Sequence, residues 1–207
     1  IALYGFDKTL VDVNWMTLTH AAGLVWTNVR DIYLDCFQVQ VKPEYILGEP
    51  LEWIELLSRY RANVTWAPNF AFSMINEEAD DDVHYEWDLS ELKYVFATAE
   101  ANVSKTLRGF LKKLRPYGLP QDAVKPCFGM TETASVNIYY DGFAYDTTSD
   151  NDEFVPIGTP VEGHAFRIVD DEGNVCRKGQ TGHIQERGDT VMPGYYENPE
   201  VNAESFT

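Results

Sequence analysis

The stretch from Tyr94 to Ser135, YVFATAEANVSKTLRGFLKKLRPYGLPQDAVKPCFGMTETAS, contains a complete strand–helix–strand pattern. Tyr94 to Ala97 predicts a buried strand, and Val124 to Cys127 predicts the next one. Between them, apolar residues recur on one helical stripe at Val103, Leu107, Phe110, Leu111 and Leu114. Gly118 and Pro120 predict the end of this helix. Two strands joined by a helix favour neighbouring parallel strands in a sheet that helices cover.

The same alternation is found on the N-terminal side of this unit. After Ala21, apolar residues recur at helical spacing at Leu24, Val25, Val29 and Ile32. Residues 37–41 then alternate between apolar and polar side chains, which is typical of a strand. Pro50 suits the first turn of a helix that gives way to a short strand at Val64 to Trp66. We therefore predict an α/β fold for residues 1–150, a helix-flanked and mostly parallel sheet.

The pattern changes after about Val155, where short strands and tight turns replace the alternation of strands and helices. Phe166 to Val169 predicts a strand, and residues 171–174, DEGN, form a turn signal. Thr181 to Arg187 predicts a further short strand. We expect residues 151–207 to form part of a small β-rich subdomain.

The composition limits the classes of partner. Lys and Arg number 16 against 33 Asp and Glu, and the formal net charge of -17 repels nucleic-acid phosphates and anionic lipids. No apolar run has the length of a membrane-spanning helix, and the first residues lack a signal-peptide pattern. We therefore expect no nucleic-acid partner and no membrane. The cysteines, three in number, are far apart in sequence, which favours a reducing, cytoplasmic compartment.

Residues 126–135, PCFGMTETAS, place an aromatic ring, a glycine, hydroxyls and a carboxylate directly after a predicted strand, where parallel sheets bind ligands. Gly129 lets backbone approach a ligand closely, Thr131 can donate to a phosphate oxygen, and Glu132 can hold Mg²⁺. This combination suits nucleoside triphosphate chemistry. An alternative is that Thr131 to Ser135 only caps a helix, and the segment taken alone favours that alternative.

Segments on both sides of this motif also contain short recognisable motifs. Ala67 to Phe70 has the sequence APNF, Thr98 to Ala101 has TAEA, and the C-terminal part adds residues 157–160, 182–184 and 191–196. In this order, and with Phe128 to Glu132 as an aromatic-Gly-x-Thr-Glu motif, they resemble the adenylate-forming superfamily. That family includes acyl-CoA synthetases, fatty acyl-AMP ligases and nonribosomal peptide synthetase adenylation domains. The chain is similar to an internal fragment of its large N-terminal domain, and residues 151–207 resemble part of its distorted β-barrel.

The resemblance implies an ATP-dependent ligase. In such enzymes a carboxylate attacks the α-phosphate of ATP while Mg²⁺ neutralises charge, so ATP, AMP and Mg²⁺ are the implied cofactors. The acyl-AMP is then passed to a pantetheine thiol, either on a carrier protein or on CoA. No covalent enzyme intermediate is needed.

The resemblance also implies roles for individual residues. Thr131 and Glu132 are the implied catalytic pair, with Thr131 on the α-phosphate and Glu132 on Mg²⁺. Nucleotide-binding roles are implied for Ala99, Glu100, Phe128, Gly129, Met130 and Thr131. His20, Asn69 and Phe70 are implied to line the acid pocket. For a lone histidine at the start of an apolar helix, a purely structural role explains His20 equally well.

Some positions depart from the family pattern. Phe128 replaces the usual tyrosine, which keeps stacking and removes a hydroxyl, and Thr98 and Ala101 replace a glycine and a proline. No segment resembles the phosphate loop, the ribose-binding aspartate or the C-terminal lysine. The chain also opens at Ile1 without a methionine and stops at Thr207, so we interpret both ends as cuts. We expect the fragment alone to be inactive, and a non-catalytic structural or protein-binding role remains the alternative.

The implied acid pocket favours one substrate class. Residues 69–73, NFAFS, carry no carboxylate, and a buried ammonium without a counter-charge is strongly disfavoured. We therefore favour a fatty, hydroxy or polyketide-type acid over an α-amino acid. Residues 15–45 resemble most the ligases that load carrier proteins in polyketide and peptide assembly lines.

Overall fold

The computed structural model describes residues 3–206 as an α/β fold built on one large sheet. The strands are β1 (Val11–Asn14), β2 (Phe37–Gln40), β3 (Val64–Ala67), β4 (Tyr94–Ala97), β5 (Val124–Met130), β6 (Ser135–Tyr139), β7 (Thr159–Pro160), β8 (His164–Val169) and β9 (His183–Gly188). The α-helices are α1 (Arg30–Leu34), α2 (Pro43–Gly48), α3 (Leu51–Arg59), α4 (Asn69–Glu78), α5 (Ser104–Leu114) and α6 (Pro199–Ser205). A π-helix, Ala22–Val29, leads into α1.

Seven strands lie in the order β2-β1-β3-β4-β5-β6-β7. The pairs from β2 to β5 are parallel, whereas β6 and β7 add antiparallel at one edge. Strands β8 and β9 form a separate antiparallel hairpin. The predicted fold class, a helix-flanked and mostly parallel sheet followed by a small β-rich part, is confirmed.

The sheet buries apolar side chains on both faces because successive residues of a strand point to opposite sides. On one face, the rings of Trp53, Phe72 and Phe110 from α3, α4 and α5 pack with centroids 5.0 to 5.9 Å apart. On the other face, Trp66 and Phe96 pack against Trp26 of the π-helix. These two layers fix the carboxyl ends of β3, β4 and β5, at which the candidate site lies.

The first predicted helix forms, but it turns its apolar side outward. The four apolar residues whose helical spacing predicts this helix are all exposed: Leu24, Val25, Val29 and Ile32. The buried side of the π-helix and α1 instead carries Thr27, Arg30 and Asp31. The Arg30 guanidinium forms ion pairs with Asp31 at 2.7 Å and with Asp12 of β1. This buried polar cluster fixes the rotation of the helix, and hydrophobic periodicity gives no sign of it.

Residues just past the predicted boundary at residue 150 still contact the large sheet. Val155 belongs to the main apolar core, and β7 pairs with β6. The division into residues 1–150 and 151–207 stays a prediction, and these contacts favour a boundary after Pro160. Within residues 3–206, none of the helices has the length and apolar character needed to cross a bilayer.

Candidate active site

The motif Phe128 to Glu132 lies where β5 ends and the chain turns back. Thr131–Thr133 forms one turn of 3-10 helix, and then Ala134 (φ 59°) and Ser135 (φ 99°) adopt left-handed backbone at the start of β6. The alternative that this segment caps a helix is therefore wrong, since it connects two antiparallel strands. Gly129 is required in this hairpin because a Cβ there would lie 1.8 Å from the carbonyl oxygen of Ser135.

A cavity of 280 Å³ opens between this turn, the start of the π-helix and the loop after β4. Six residues that the sequence singled out line it: His20, Ala99, Gly129, Met130, Thr131 and Glu132. Trp66 of β3 and Ser135 of β6 also contribute to its wall. The implied phosphate-binding residues thus meet His20, one of the three implied acid-pocket residues, in one space.

A second cavity of 440 Å³ lies beside the first and is largely apolar. It is lined by Glu100, Phe128 and the segment Phe154, Val155 and Ile157. Ala99 and Gly129 line both cavities, so the two spaces meet at the end of β5. Ala99 has a φ of 74°, a left-handed conformation that is costly for alanine and is typical of strained loops at functional sites.

Asn69 and Phe70 line neither cavity and instead support the loop behind them. The Asn69 side-chain oxygen accepts a hydrogen bond from the Val103 N–H at 3.0 Å. The Phe70 N–H, in the first turn of α4, donates to Glu100 Oε1 at 2.5 Å. The positive end of the helix dipole favours a carboxylate at this point. These contacts connect α4 to the Ala99–Glu100 loop.

His20 lines the first cavity. Its Nδ1 accepts a hydrogen bond from the Ala22 N–H at 3.2 Å, so the neutral ring carries its proton on Nε2. The ring is exposed, and its centroid lies 6.4 Å from that of Trp66. A neutral N–H donor suits an acceptor oxygen better than it suits an ammonium group.

Glu132 is held by a distant segment of the chain. Met192 N–H donates to its carbonyl oxygen at 2.8 Å, and the Tyr195 hydroxyl donates to its Oε1. The Thr190 hydroxyl donates to the neighbouring Thr133 carbonyl at 2.7 Å. The hydrogen bond to Glu132 raises the pKa of the Tyr195 phenol. Residues 191–196 match a family motif, but no pattern in the sequence connects them with this turn.

A buried polar cluster also supports this turn. His164 Nδ1 lies 2.7 Å from Glu186 Oε1, and the two side chains are 6% and 2% exposed. Asn137 donates to Glu186 and, at 2.9 Å, to the Thr133 hydroxyl. Burial raises the pKa of the Glu186 carboxyl, and its hydrogen bond with His164 opposes this shift. The hairpin of β8 and β9 is thereby joined to the candidate site, a connection that no sequence pattern indicated.

The first cavity suits a metal ion that is held partly by the protein and partly by a bound substrate. Among residues 3–206 there is no group of three or more His, Cys, Asp or Glu side chains that could hold a metal by themselves. Glu132 offers one carboxylate on a cavity that is open to solvent. Mg²⁺ fits such a site because it usually takes one or two carboxylates, keeps several waters and completes its shell with substrate phosphates.

Comparison with protein families gives a match over most of the chain. The model described as AMP-binding enzyme matches residues 6–196. The nonribosomal peptide synthetase apvA of Aspergillus terreus (strain NIH 2624 / FGSC A1156) is 33% identical over 199 residues, which cover 94% of this chain and 22% of that protein. This chain therefore corresponds to about a fifth of such a relative.

Two solved structures are similar over the whole chain. The adenylation domain of a keto acid-selecting NRPS module, bound to keto acyl adenylate, has a TM-score of 0.93 and 32% identity. The McyG A-PCP structure, complexed with phenylalanyl-adenylate, has a TM-score of 0.95 and 36% identity. This chain covers 42% of the first and 37% of the second.

Proposed function

Because the chain belongs to the AMP-binding enzyme family, whose model matches residues 6–196, we propose that its protein activates a carboxylic acid as an acyl-adenylate. The observation that carries this proposal is the meeting of two cavities at Ala99 and Gly129. One cavity has Thr131 and Glu132 on its wall, and the other has the ring of Phe128. A nucleotide and an acid can therefore approach each other across the end of β5.

In the proposed reaction, a carboxylate oxygen of the acid attacks the α-phosphorus of ATP. A new oxygen–phosphorus bond forms, and the bond to the pyrophosphate oxygen breaks. Phe128 packs against the adenine in the apolar cavity, which places the α-phosphate near the junction of the two spaces. The Thr131 hydroxyl donates a hydrogen bond to an α-phosphate oxygen, on which negative charge increases in the transition state.

Glu132 is the residue proposed to hold Mg²⁺. Bound Mg²⁺ neutralises the charge of the phosphates and so favours attack by an anion. Glu132 and Thr131 are neighbours that both line the first cavity, which supports a role for both side chains on the same phosphate chain. The hydrogen bond from the Met192 N–H fixes the main chain of Glu132 at the cavity wall.

The chemistry of the first cavity supports an α-keto or α-hydroxy acid as the substrate. Among the residues that the structure describes there, Glu132 is the one carboxylate, and the proposal assigns it to the metal. His20 offers a neutral Nε2–H, which can donate to a keto or hydroxyl oxygen. The relative that selects keto acids is 32% identical to this chain, while the one bound to phenylalanyl-adenylate is 36% identical, so overall identity does not decide the class.

The proposed acceptor of the acyl group is the phosphopantetheine thiol of a carrier protein. Support comes from the relatives, because one is a nonribosomal peptide synthetase and one similar structure contains an A-PCP unit. CoA carries the same pantetheine thiol and is the other acceptor that we consider. Loading of a carrier protein and of CoA can be compared directly in a thioester assay.

ATP–pyrophosphate exchange in the full-length protein tests the proposed activity. We expect exchange with a panel of keto and hydroxy acids and strong loss of exchange in Glu132→Gln. Glu172→Gln is the matched control because Glu172 lies in the exposed β8–β9 turn, away from both cavities. Exchange at the wild-type rate in Glu132→Gln, or no exchange with any acid in the wild type, would contradict the proposal.

A further inference from the structure

Three hydrogen bonds from one short segment reach the turn that carries Glu132. They come from Thr190, Met192 and Tyr195, and they end on Thr133 O, Glu132 O and Glu132 Oε1. The first two fix the main chain of the turn. The third is different in kind, because it holds the carboxylate itself.

Tyr195 is itself held in place by α6 and by the residue that follows it, Phe206. The Asn202 side chain accepts a hydrogen bond from the Tyr195 N–H at 2.7 Å and donates one to the Tyr195 carbonyl at 2.9 Å. The Tyr195 ring packs edge-on against Phe206, with centroids 5.9 Å apart. A side chain that is fixed at its backbone and at its ring delivers its hydroxyl to one position.

The contact leaves one oxygen of the carboxylate for a ligand. Tyr195 donates to Oε1, and Oε2 accepts no hydrogen bond from residues 3–206. A carboxylate with one oxygen fixed cannot rotate freely about its last bond, so its second oxygen also keeps one orientation. Partners that orient ligating carboxylates in this way commonly change metal affinity when they are removed.

We propose that Tyr195 is a positioning residue that orients the Glu132 carboxylate for a phosphate-bound divalent cation. This inference rests on the proposed role of Glu132. It extends the candidate site to the segment 190–195 and to Asn202 of α6, neither of which lines the two cavities.

The test measures binding of Mn²⁺ to the full-length protein in the presence of a non-hydrolysable ATP analogue. Binding is measured as the loss of the EPR signal of free Mn²⁺. We expect Tyr195→Phe to raise the dissociation constant of Mn²⁺ by about 10- to 100-fold. Tyr196→Phe is the matched control, because Tyr196 is the next residue and is 90% exposed. It should bind Mn²⁺ as the wild type does.

A positioning role also predicts a particular kinetic result. In Tyr195→Phe, the Mg²⁺ concentration for half-maximal pyrophosphate exchange should rise, while kcat at saturating Mg²⁺ should return close to the wild-type value. A variant that is merely misfolded would not recover. Asn202→Ala gives an independent test, because it keeps the phenol but removes its support, and it should weaken Mn²⁺ binding in the same direction.

The outcomes separate this inference from the proposed function. If Glu132→Gln abolishes Mn²⁺ binding while Tyr195→Phe and Asn202→Ala bind Mn²⁺ like Tyr196→Phe, the positioning role is overturned and the metal role of Glu132 stands. If Glu132→Gln itself leaves Mn²⁺ binding unchanged, both assignments are wrong.

Discussion

Replacing His20 should change which acid the protein activates. His20→Asp exchanges a neutral donor for a carboxylate on the wall of the 280 Å³ cavity. A carboxylate repels a keto oxygen, since neither group has a proton to donate, and it attracts an α-ammonium group. Phenylpyruvate and phenylalanine are a suitable pair of probes because they differ only at the α-carbon.

The expected magnitudes follow from the geometry of the ring. His20 is exposed and can offer one hydrogen bond through Nε2, so His20→Ala should lower kcat/KM for phenylpyruvate by about 3- to 10-fold. His20→Asp should lower it further and raise kcat/KM for phenylalanine. Because hydrogen bonds to charged groups are stronger than neutral ones, we expect the ratio of the two values to shift by about 10-fold or more.

Pyrophosphate exchange with each acid measures this ratio. Thr19→Asp adds the same charge one residue away, at a side chain that does not line the cavity, and it should leave the ratio unchanged. An unchanged ratio in His20→Asp would refute the argument, because it would mean that His20 does not contact the α-substituent. Equal shifts in His20→Asp and Thr19→Asp would instead indicate a long-range effect of charge and would also refute a direct contact.

Two further predictions concern the isolated chain. The 207-residue chain alone should fold, because apolar side chains are buried on both faces of its sheet. With ATP, Mg²⁺ and an acid mixture it should release no pyrophosphate above background, because no segment of it resembles the phosphate loop or the C-terminal lysine. Robust release would contradict this. Cys127 is buried and burial raises the pKa of its thiol, while the pKa of Cys36 is raised to about 12, chiefly by burial and also by Asp31. Since only the thiolate reacts and a raised pKa leaves less of it below pH 9, alkylation followed by mass spectrometry should modify the buried Cys127 last, and fast labelling of native Cys127 would contradict the structure.

Much of the fold could be predicted from the sequence because the decisive signals are local. The stripe from Val103 to Leu114 predicts α5, and the apolar runs on either side predict β4 and β5. The outward turn of the first helix could not be predicted, since it depends on an ion pair between Arg30 and Asp12, which lie in different elements.

The candidate site divides in the same way. Phe128 to Glu132 is one continuous segment, so its residues are brought together by the chain itself. Tyr195 and Glu186 support the turn through contacts that span 63 and 49 residues, and nothing in their own neighbourhoods indicates a partner. The opposite holds for Asn69 and Phe70. A motif match singled them out, but the packing of α4 places them behind the cavities and not on their walls.

The long separation between Glu132 and Tyr195 has a consequence for the order of folding. The hairpin of β5 and β6 joins neighbouring residues, whereas the contact of Tyr195 with Glu132 closes a loop of 63 residues. Closing long loops costs more chain entropy, so local pairings are expected to form first. During synthesis on the ribosome, the turn should therefore exist before its carboxylate is oriented, and the nascent chain should gain affinity for divalent cations only after α6 has emerged from the exit tunnel.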